Sequence, residues 1–195
     1  MKMTSAVIEI ITLIIVILGL LFFDFATSNY VVLISILVVG SRLGWLFYKR
    51  ELTLKANIQK EGRIFSGWMR YGTILLLAFG LLFVFQDDIK GLPIWLTDQE
   101  PVWFTFFHVG AQEAIFRVYL LSRLQTILDS RAVIAVLGGL LFGVVHFILP
   151  GALIVVAFTS ILGTAWCYVY QRYPNFILVW LSHTLLNFAI KSLVQ

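Results

Sequence analysis

The apolar residues of this chain come in long, nearly uncharged blocks rather than at the three- and four-residue intervals of a soluble amphipathic helix. One bilayer-spanning helix takes about 20 such residues. Charged residues make up 12% of the 195 residues and hydrophobic ones 61%. A soluble domain has about 25% charged residues, so this chain could not cover its own surface in water. The sequence therefore predicts an integral membrane protein.

The apolar blocks predict an all-α, polytopic transmembrane bundle of about seven spans (six to eight) that forms one domain, residues 1–195. Within it, 1–101 would hold the N-terminal spans and 102–195 the C-terminal helices. The expected helices are 5–23, 30–47, 67–85, 102–124, 131–149, 152–170, and a last helix that follows Pro174 and ends near Ile190.

The charged segments between the blocks predict the orientation. Basic residues concentrate in 48–66, 123–131 and 171–174, whereas 86–101 is mostly acidic. Because basic loops stay in the cytoplasm, we expect a multi-pass protein of a bacterial plasma membrane with a cytoplasmic N-terminus. The net charge of +4 does not indicate nucleic acid as a partner, since no aromatic-basic surface or recognised module is present.

Ionisable side chains inside spans concentrate in the C-terminal half. Each costs about 2.5–3.5 kcal/mol at the centre of a bilayer, so such residues are functional candidates by default. The first three expected spans hold almost none beyond Glu9 and Arg42, both near expected span ends. The fourth, fifth and seventh spans hold all three histidines of the chain and several polar partners: His108, Gln112, Glu113, Arg117, His146, His183 and Asn187.

These polar residues are spaced so that they share helix faces. Glu113 and Arg117 are four residues apart, as are His183 and Asn187. A carboxylate beside two imidazoles in a dry pocket can activate water, polarise a carbonyl or bind a metal. We expect an active pocket between the fourth, fifth and seventh helices. The alternative is that these pairs only join helices by hydrogen bonds.

Two histidines and one glutamate would also match the ligand set of a catalytic zinc site. No His-Glu-x-x-His run exists, and each ligand would come from a different helix. We therefore expect no metal and no cofactor, with zinc as the open alternative.

Three short motifs carry a resemblance to a known family. The segment Gln112-Glu113-Ala114-Ile115-Phe116-Arg117 resembles the Glu-Glu-x-x-x-Arg motif of the CAAX protease and bacteriocin-processing (CPBP, or Abi) family. Phe142 to His146 resembles its second motif, Phe-x-x-x-His, and His183 to Asn187 its third, His-x-x-x-Asn. The resemblance covers about 104–190 and implies that 102–195 is the catalytic core.

The resemblance implies a glutamate-dependent intramembrane hydrolase of the CAAX prenyl protease II type, acting on a membrane peptide or a lipid-modified protein. Carried over by position, His146 would activate water, while His183 and Asn187 would stabilise the oxyanion. Glu113 would be catalytic, and Arg117 would orient it and balance its charge. We expect His108, Phe116 and Phe142 to contact the substrate.

The chain departs from the family at Gln112, where the first glutamate of the motif should stand. An amide cannot act as a general base, although it can hydrogen-bond water or the imidazole of His108, one turn earlier. Glu113 could replace the missing base, but it lies about 100° around the helix. The change could also have been introduced.

A third explanation of Gln112 is a lineage that no longer cleaves peptides. Such a protein would be an acyltransferase in lipoprotein N-acylation and maturation, in which His146 or His183 deprotonates an amine. It could equally be a non-catalytic bacteriocin-immunity or scaffold protein of the membrane.

Overall fold

The computed structural model describes residues 2–22, 65–70, 101–147 and 152–194. These residues form helices joined by short connections, and no strand occurs among them, which confirms the all-α class for this part of the chain. The expected span 30–47 and most of the expected span 67–85 lie outside the described residues, as do most of the polar segments 48–66 and 86–101.

The helices of the C-terminal half agree closely with the apolar blocks. The elements in chain order are α1 (Lys2–Phe22), a helical segment at 65–70, α2 (Val102–Glu113), a π-helical segment (Ala114–Leu120), α3 (Leu121–Ile127), α4 (Arg131–Val144), α5 (Ala152–Arg172) and α6 (Phe176–Val194). The fourth expected helix is thus an α2–π–α3 unit.

Membrane-spanning length can be assessed only for the described helices. Among them, the segment Leu153–Arg172 is long and apolar enough to cross a bilayer, with a mean hydropathy of 1.8. Met3–Val16, Arg131–Val144 and Phe176–Lys191 are apolar but shorter. The count of seven spans is therefore not confirmed and stays a prediction.

Side-chain caps define the first residues of α4 and α6. The Ser130 hydroxyl accepts a hydrogen bond from the backbone N–H of Val133 at 3.5 Å, and Asn175 Oδ1 accepts one from Leu178 at 3.0 Å. Such caps satisfy backbone donors that the first turn of a helix leaves free. The connections 128–130 and 173–175 are only a few residues long, so each reverses the chain between neighbouring helices.

The fifth expected helix is shorter than predicted, because α4 ends at Val144 instead of continuing to 149. The backbone N–H groups of His146 and Phe147 bond three residues back, to Gly143 and Val144, at 2.9 and 3.0 Å. In an α-helix the His146 N–H would have bonded Phe142 O. The His146 ring takes that carbonyl instead, with Nδ1 at 2.8 Å.

The helices α4 and α5 approach each other closely along a surface of small residues. A Cβ atom added to Gly139 would overlap Thr164, and one added to Gly143 would overlap Ser160. Facing Gly-x-x-x-Gly and Ser-x-x-x-Thr patterns allow such close contact between membrane helices. This packing brings Phe142 of α4 within 6.3 Å of Trp166 of α5, measured between ring centroids.

Glu9 of α1 attaches that helix to the α2–π–α3 unit. Its Oε2 atom accepts a hydrogen bond from Tyr119 Oη at 2.7 Å and lies 3.0 Å from Arg123 Nε. From the sequence, Glu9 was expected near a span end, and no partner was predicted for it. The structure shows it as the contact that positions α1 against the π-helical segment.

Candidate active site

Glu113 is the last residue of α2 and has no solvent exposure. Its two carboxylate oxygens face different partners. Oε1 lies 2.7 Å from His183 Nδ1 on α6, and Oε2 lies 3.1 Å from Arg117 Nε. The predicted pairing of Glu113 with Arg117 is confirmed, and His183 joins it from another helix.

The π-helical segment begins immediately after Glu113 and carries Arg117. At its end, the N–H of Leu121 bonds Phe116 O, five residues back. A π turn holds more residues than an α turn, so residues 113 and 117 stay within one turn and on one face. Such insertions in membrane and soluble helices are frequent at functional sites.

Arg117 is 1% exposed, and aromatic rings pack against its guanidinium group. Its Cζ atom lies 4.4 Å from the centroid of the Phe142 ring and 5.7 Å from that of Trp166. Contacts of this kind stabilise a desolvated cation through the negative face of the ring. Within the described part of the chain, Nη1 and Nη2 have no hydrogen-bond partner. They are therefore open donors inside the site.

The His183 ring is held between Trp166 and Phe142, with centroids 4.6 and 5.6 Å away. Because an ionised carboxylate only accepts hydrogen bonds, His183 Nδ1 carries the proton that it donates to Glu113. Its Nε2 atom therefore stays available to a substrate. It accepts a hydrogen bond when the ring is neutral and donates one when the ring is protonated.

His146 has a comparable arrangement at the end of α4. Its Nδ1–H donates to the carbonyl oxygen of Phe142 at 2.8 Å, so the lone pair resides on Nε2. The rings of His146 and His183 both contact Phe142, with centroids 4.9 and 5.6 Å from that of the phenylalanine. The structure therefore brings these two motif histidines together around one aromatic ring.

Gln112 contacts the third histidine. Its side-chain nitrogen lies 3.4 Å from His108 Nε2, which confirms the expected contact between these residues. Both side chains are half-buried. Asn187, one turn after His183 on α6, is also half-buried and has no hydrogen-bond partner among the residues that the structure describes.

Phe116 and Phe142, which were expected to contact the substrate, are buried in the helix bundle. Phe116 and Phe142 are 3% and 1% exposed and meet edge to face at 5.3 Å. Phe142 packs against Arg117, and both phenylalanines help to build the site wall. Their contact with substrate stays a prediction. Trp166 was missed, because a tryptophan in an apolar block is indistinguishable from a core residue in the sequence.

The described residues do not form the zinc site that the sequence left open. No group of three His, Cys, Asp or Glu side chains within 2–22, 65–70, 101–147 and 152–194 is arranged to hold a metal ion. His183 directs Nδ1 at Glu113 rather than at a common centre. The absence of a cofactor stays a prediction.

Comparison with known families gives one match. The family model described as "Type II CAAX prenyl endopeptidase Rce1-like" matches residues 99–189, slightly under half of the chain. The matched segment contains all three motifs and every site residue described above. Neither the curated proteins nor the solved structures gave a match.

Proposed function

We propose that the chain is an intramembrane hydrolase of prenylated or otherwise lipid-modified peptides, because residues 99–189 match the family model of the Rce1-like type II CAAX prenyl endopeptidases. Members of this family are integral membrane proteases that act on membrane-associated prenylated peptides. The observation that carries the proposal is the buried contact between Glu113 and His183, 2.7 Å long and balanced by Arg117.

His146 is the proposed general base. Its Nδ1–H is bound to a carbonyl, which leaves Nε2 as an acceptor for a proton from water. Gln112 would hold that water by a hydrogen bond, as an amide can. Glu113 is less suited to be the base, because one oxygen is bound to His183 and the other faces Arg117. We propose that Glu113 instead positions and charges His183.

His183 and Asn187 are the proposed oxyanion donors. A protonated His183 donates through Nδ1 to Glu113 and keeps Nε2–H for the substrate. Together with Arg117, it gives the Glu113 cluster one net positive charge. Preorganised donors of this kind stabilise the charge that develops on a carbonyl oxygen in the transition state.

The proposed reaction is ordinary amide hydrolysis. His146 Nε2 takes a proton from water while the water oxygen attacks the carbonyl carbon, and the carbonyl electron pair moves to oxygen. Collapse of this intermediate breaks the C–N bond. The proton held by His146 then passes to the leaving amine, and a new carboxylate remains on the other fragment.

The first test is cleavage of prenylated peptides by the purified chain in lipid nanodiscs. We expect His146→Ala to lower the cleavage rate about 10²–10⁴-fold, the usual contribution of a general base. Leu185→Ala is the matched control, since that side chain is 65% exposed on the helix that carries His183. Full activity in His146→Ala would contradict the role of His146, and full activity in Glu113→Ala that of the buried pair.

A second candidate function rests on Gln112, which occupies the place of a water-activating glutamate. An acyltransferase needs a base for an amine nucleophile and the same oxyanion donors. Transfer of a labelled acyl chain to a lipoprotein amine, lost in His146→Ala, would support it. For a non-catalytic immunity or scaffold role, alanine variants of Glu113, His146 and His183 would keep the cellular phenotype.

The proposed cytoplasmic N-terminus and bacterial plasma membrane rest on the basic segments, including the one at Arg172. Cys167 is the chain's single cysteine and is completely buried, so the labelling background is low. In a seven-span chain, Arg172→Cys should react with a membrane-impermeant maleimide only after the cells are permeabilised. Labelling of intact cells would reverse the orientation.

A further inference from the structure

The helix α5 contacts the candidate site through Trp166, although none of the three motifs lies on that helix. Trp166 is 2% exposed, and its ring centroid lies 4.6 Å from that of His183 on α6. The same ring lies 5.7 Å from the guanidinium carbon of Arg117, within the range of a cation–π contact. His183 and Arg117 are the two side chains that face the Glu113 carboxylate. Both partners of Glu113 therefore pack against one indole.

The close approach of α4 and α5 determines where this indole lies. A Cβ atom added to Gly163 would lie 2.9 Å from Cδ1 of Phe142 and 3.1 Å from the Cα atom of Gly139. Trp166 follows Gly163 by three residues, and residues three apart share a helix face. The indole is therefore directed to the side of α5 that packs against α4, where its centroid is 6.3 Å from that of Phe142.

Two rings at right angles to each other surround the imidazole of His183. The planes of Trp166 and Phe142 make an angle of 88°. The plane of His183 is inclined by 33° to the indole and by 77° to the phenyl ring. At a centroid separation of 4.6 Å from the indole, turning the imidazole about its Cβ–Cγ bond would drive a ring edge into Trp166. The indole therefore restricts the plane of the imidazole.

The hydrogen bond between His183 and Glu113 does not fix this plane by itself. The χ2 torsion of a histidine is broad, unlike the staggered χ1. A hydrogen bond also weakens steeply only when its angle at the hydrogen falls below about 120°. Nδ1 can thus stay bonded to the carboxylate while the ring tilts, and Nε2 on the other side of the ring then changes direction. A packed neighbouring ring removes this freedom.

We propose that Trp166 is a positioning residue, whose indole fixes the plane of the His183 imidazole so that Nε2 keeps one direction toward the substrate carbonyl. Glu113 selects which nitrogen is free, and Trp166 orients that nitrogen. The part of this inference that concerns the substrate rests on the proposed function. The restriction of the imidazole does not, and it can be measured without turnover.

The first measurement is the motion of the His183 ring in the full chain in lipid bilayers. The chain has three histidines, so ¹³C,¹⁵N-histidine labelling gives three imidazole signals, and His183→Gln identifies the relevant one. Order parameters of the ring C–H bonds are obtained by solid-state NMR. A rigid group gives about 0.85 and a flexible one less than about 0.6. We expect a rigid ring in wild type and in Trp166→Phe, and a flexible one in Trp166→Met.

The matched control is Trp180→Met, the same replacement on the helix that carries His183. Trp180 donates a hydrogen bond to Phe106 O at 2.8 Å, so its loss should lower the stability without loosening the His183 ring. The Nδ1–H tautomer should persist in every variant, because Glu113 selects it. A flexible His183 ring in the wild type, a rigid one in Trp166→Met, or equal loosening in Trp180→Met would overturn the proposal.

The second measurement is the cleavage of prenylated peptides by the same variants. We expect Trp166→Met to lower kcat about 10–100-fold with little change in KM, because the direction of an oxyanion donor matters in the transition state. Trp166→Phe should restore most of kcat, and Trp180→Met should retain it. A change in KM alone would overturn the positioning role. Failure of the proposed function would look different, because no variant would cleave while the His183 ring still depended on Trp166.

Discussion

His183 Nδ1 and Glu113 Oε1 lie 2.7 Å apart in the interior of the protein, although 70 residues separate them in the chain. This contact joins α6 to the end of α2 and leaves Nε2 as the imidazole nitrogen that is not engaged by Glu113. Arg117 places an opposite charge 3.1 Å from the other carboxylate oxygen, as a buried carboxylate needs. In the proposed mechanism, Glu113 acts on the reaction through His183.

The Glu113–Arg117 pair should show strong energetic coupling. Arg117→Met leaves a buried carboxylate without its cation, and Glu113→Gln leaves a buried guanidinium without its anion. Removing one partner of a buried pair costs about 3–5 kcal/mol. The double variant should lose clearly less stability than both single losses together, as measured by unfolding in mixed micelles. Additive losses would contradict the coupling.

Restoring a carboxylate at position 112 should increase hydrolysis. Gln112→Glu places a proton acceptor beside His108 and in the motif position of the family's base. The expected gain in cleavage rate is about 10²-fold or more, within the usual range for general base catalysis. Gln112→Leu is the comparison, because it keeps the size but cannot bind water. A Gln112→Glu variant no faster than wild type would contradict the placement of position 112 beside the attacking water.

The α4–α5 contact should not tolerate a side chain at Gly139. A Cβ atom there overlaps both the hydroxyl and the backbone of Thr164, and the backbone cannot rotate away. We expect Gly139→Ala to lower the free energy of unfolding by about 1–3 kcal/mol, as overpacking does. Among the residues that the structure describes, nothing lies within 4 Å of a Cβ atom added at Gly19, so Gly19→Ala should be neutral or slightly stabilising. Equal stability of the two variants would contradict the close packing.

Glu9 should stabilise the protein through the π-helical segment. Glu9→Gln weakens the hydrogen bond from Tyr119 and removes the charge that faces Arg123. Loss of a partially buried charged contact should cost about 1–3 kcal/mol in thermal unfolding. Ser5→Ala, which removes only an exposed hydroxyl 3.1 Å from Glu9 Oε1, should cost much less. A reversed order of the two losses would contradict the attachment of α1.

The sequence predicted the elements whose causes are local. Apolar blocks and flanking Pro and Gly residues located α2, α5 and α6, and the four-residue spacing paired Glu113 with Arg117. The π-helical segment and the early end of α4 at Val144 were not predicted. Both depend on which donor bonds a given backbone carbonyl, and the sequence pattern does not show this. At the end of α4, for example, the His146 ring rather than a backbone N–H bonds Phe142 O.

Long-range partners were beyond sequence reasoning for a different reason. Trp166 against His183, Glu9 against Tyr119, and Lys191 against Thr105 each join residues far apart in the chain. Periodicity gives the face of a helix but not its neighbour or its register. The family motifs placed His183 near Glu113, because they relate helices that spacing alone cannot.

The most direct test of the account is isotope incorporation during turnover. A prenylated peptide is incubated with the protein in H₂¹⁸O, with an acceptor amine present, and the products are analysed by mass spectrometry. We expect one ¹⁸O atom in the new carboxylate of the prenylated fragment and none of this product with His146→Ala. An acyl group joined to the amine without ¹⁸O, or unchanged product in the variant, would contradict a hydrolase whose base is His146.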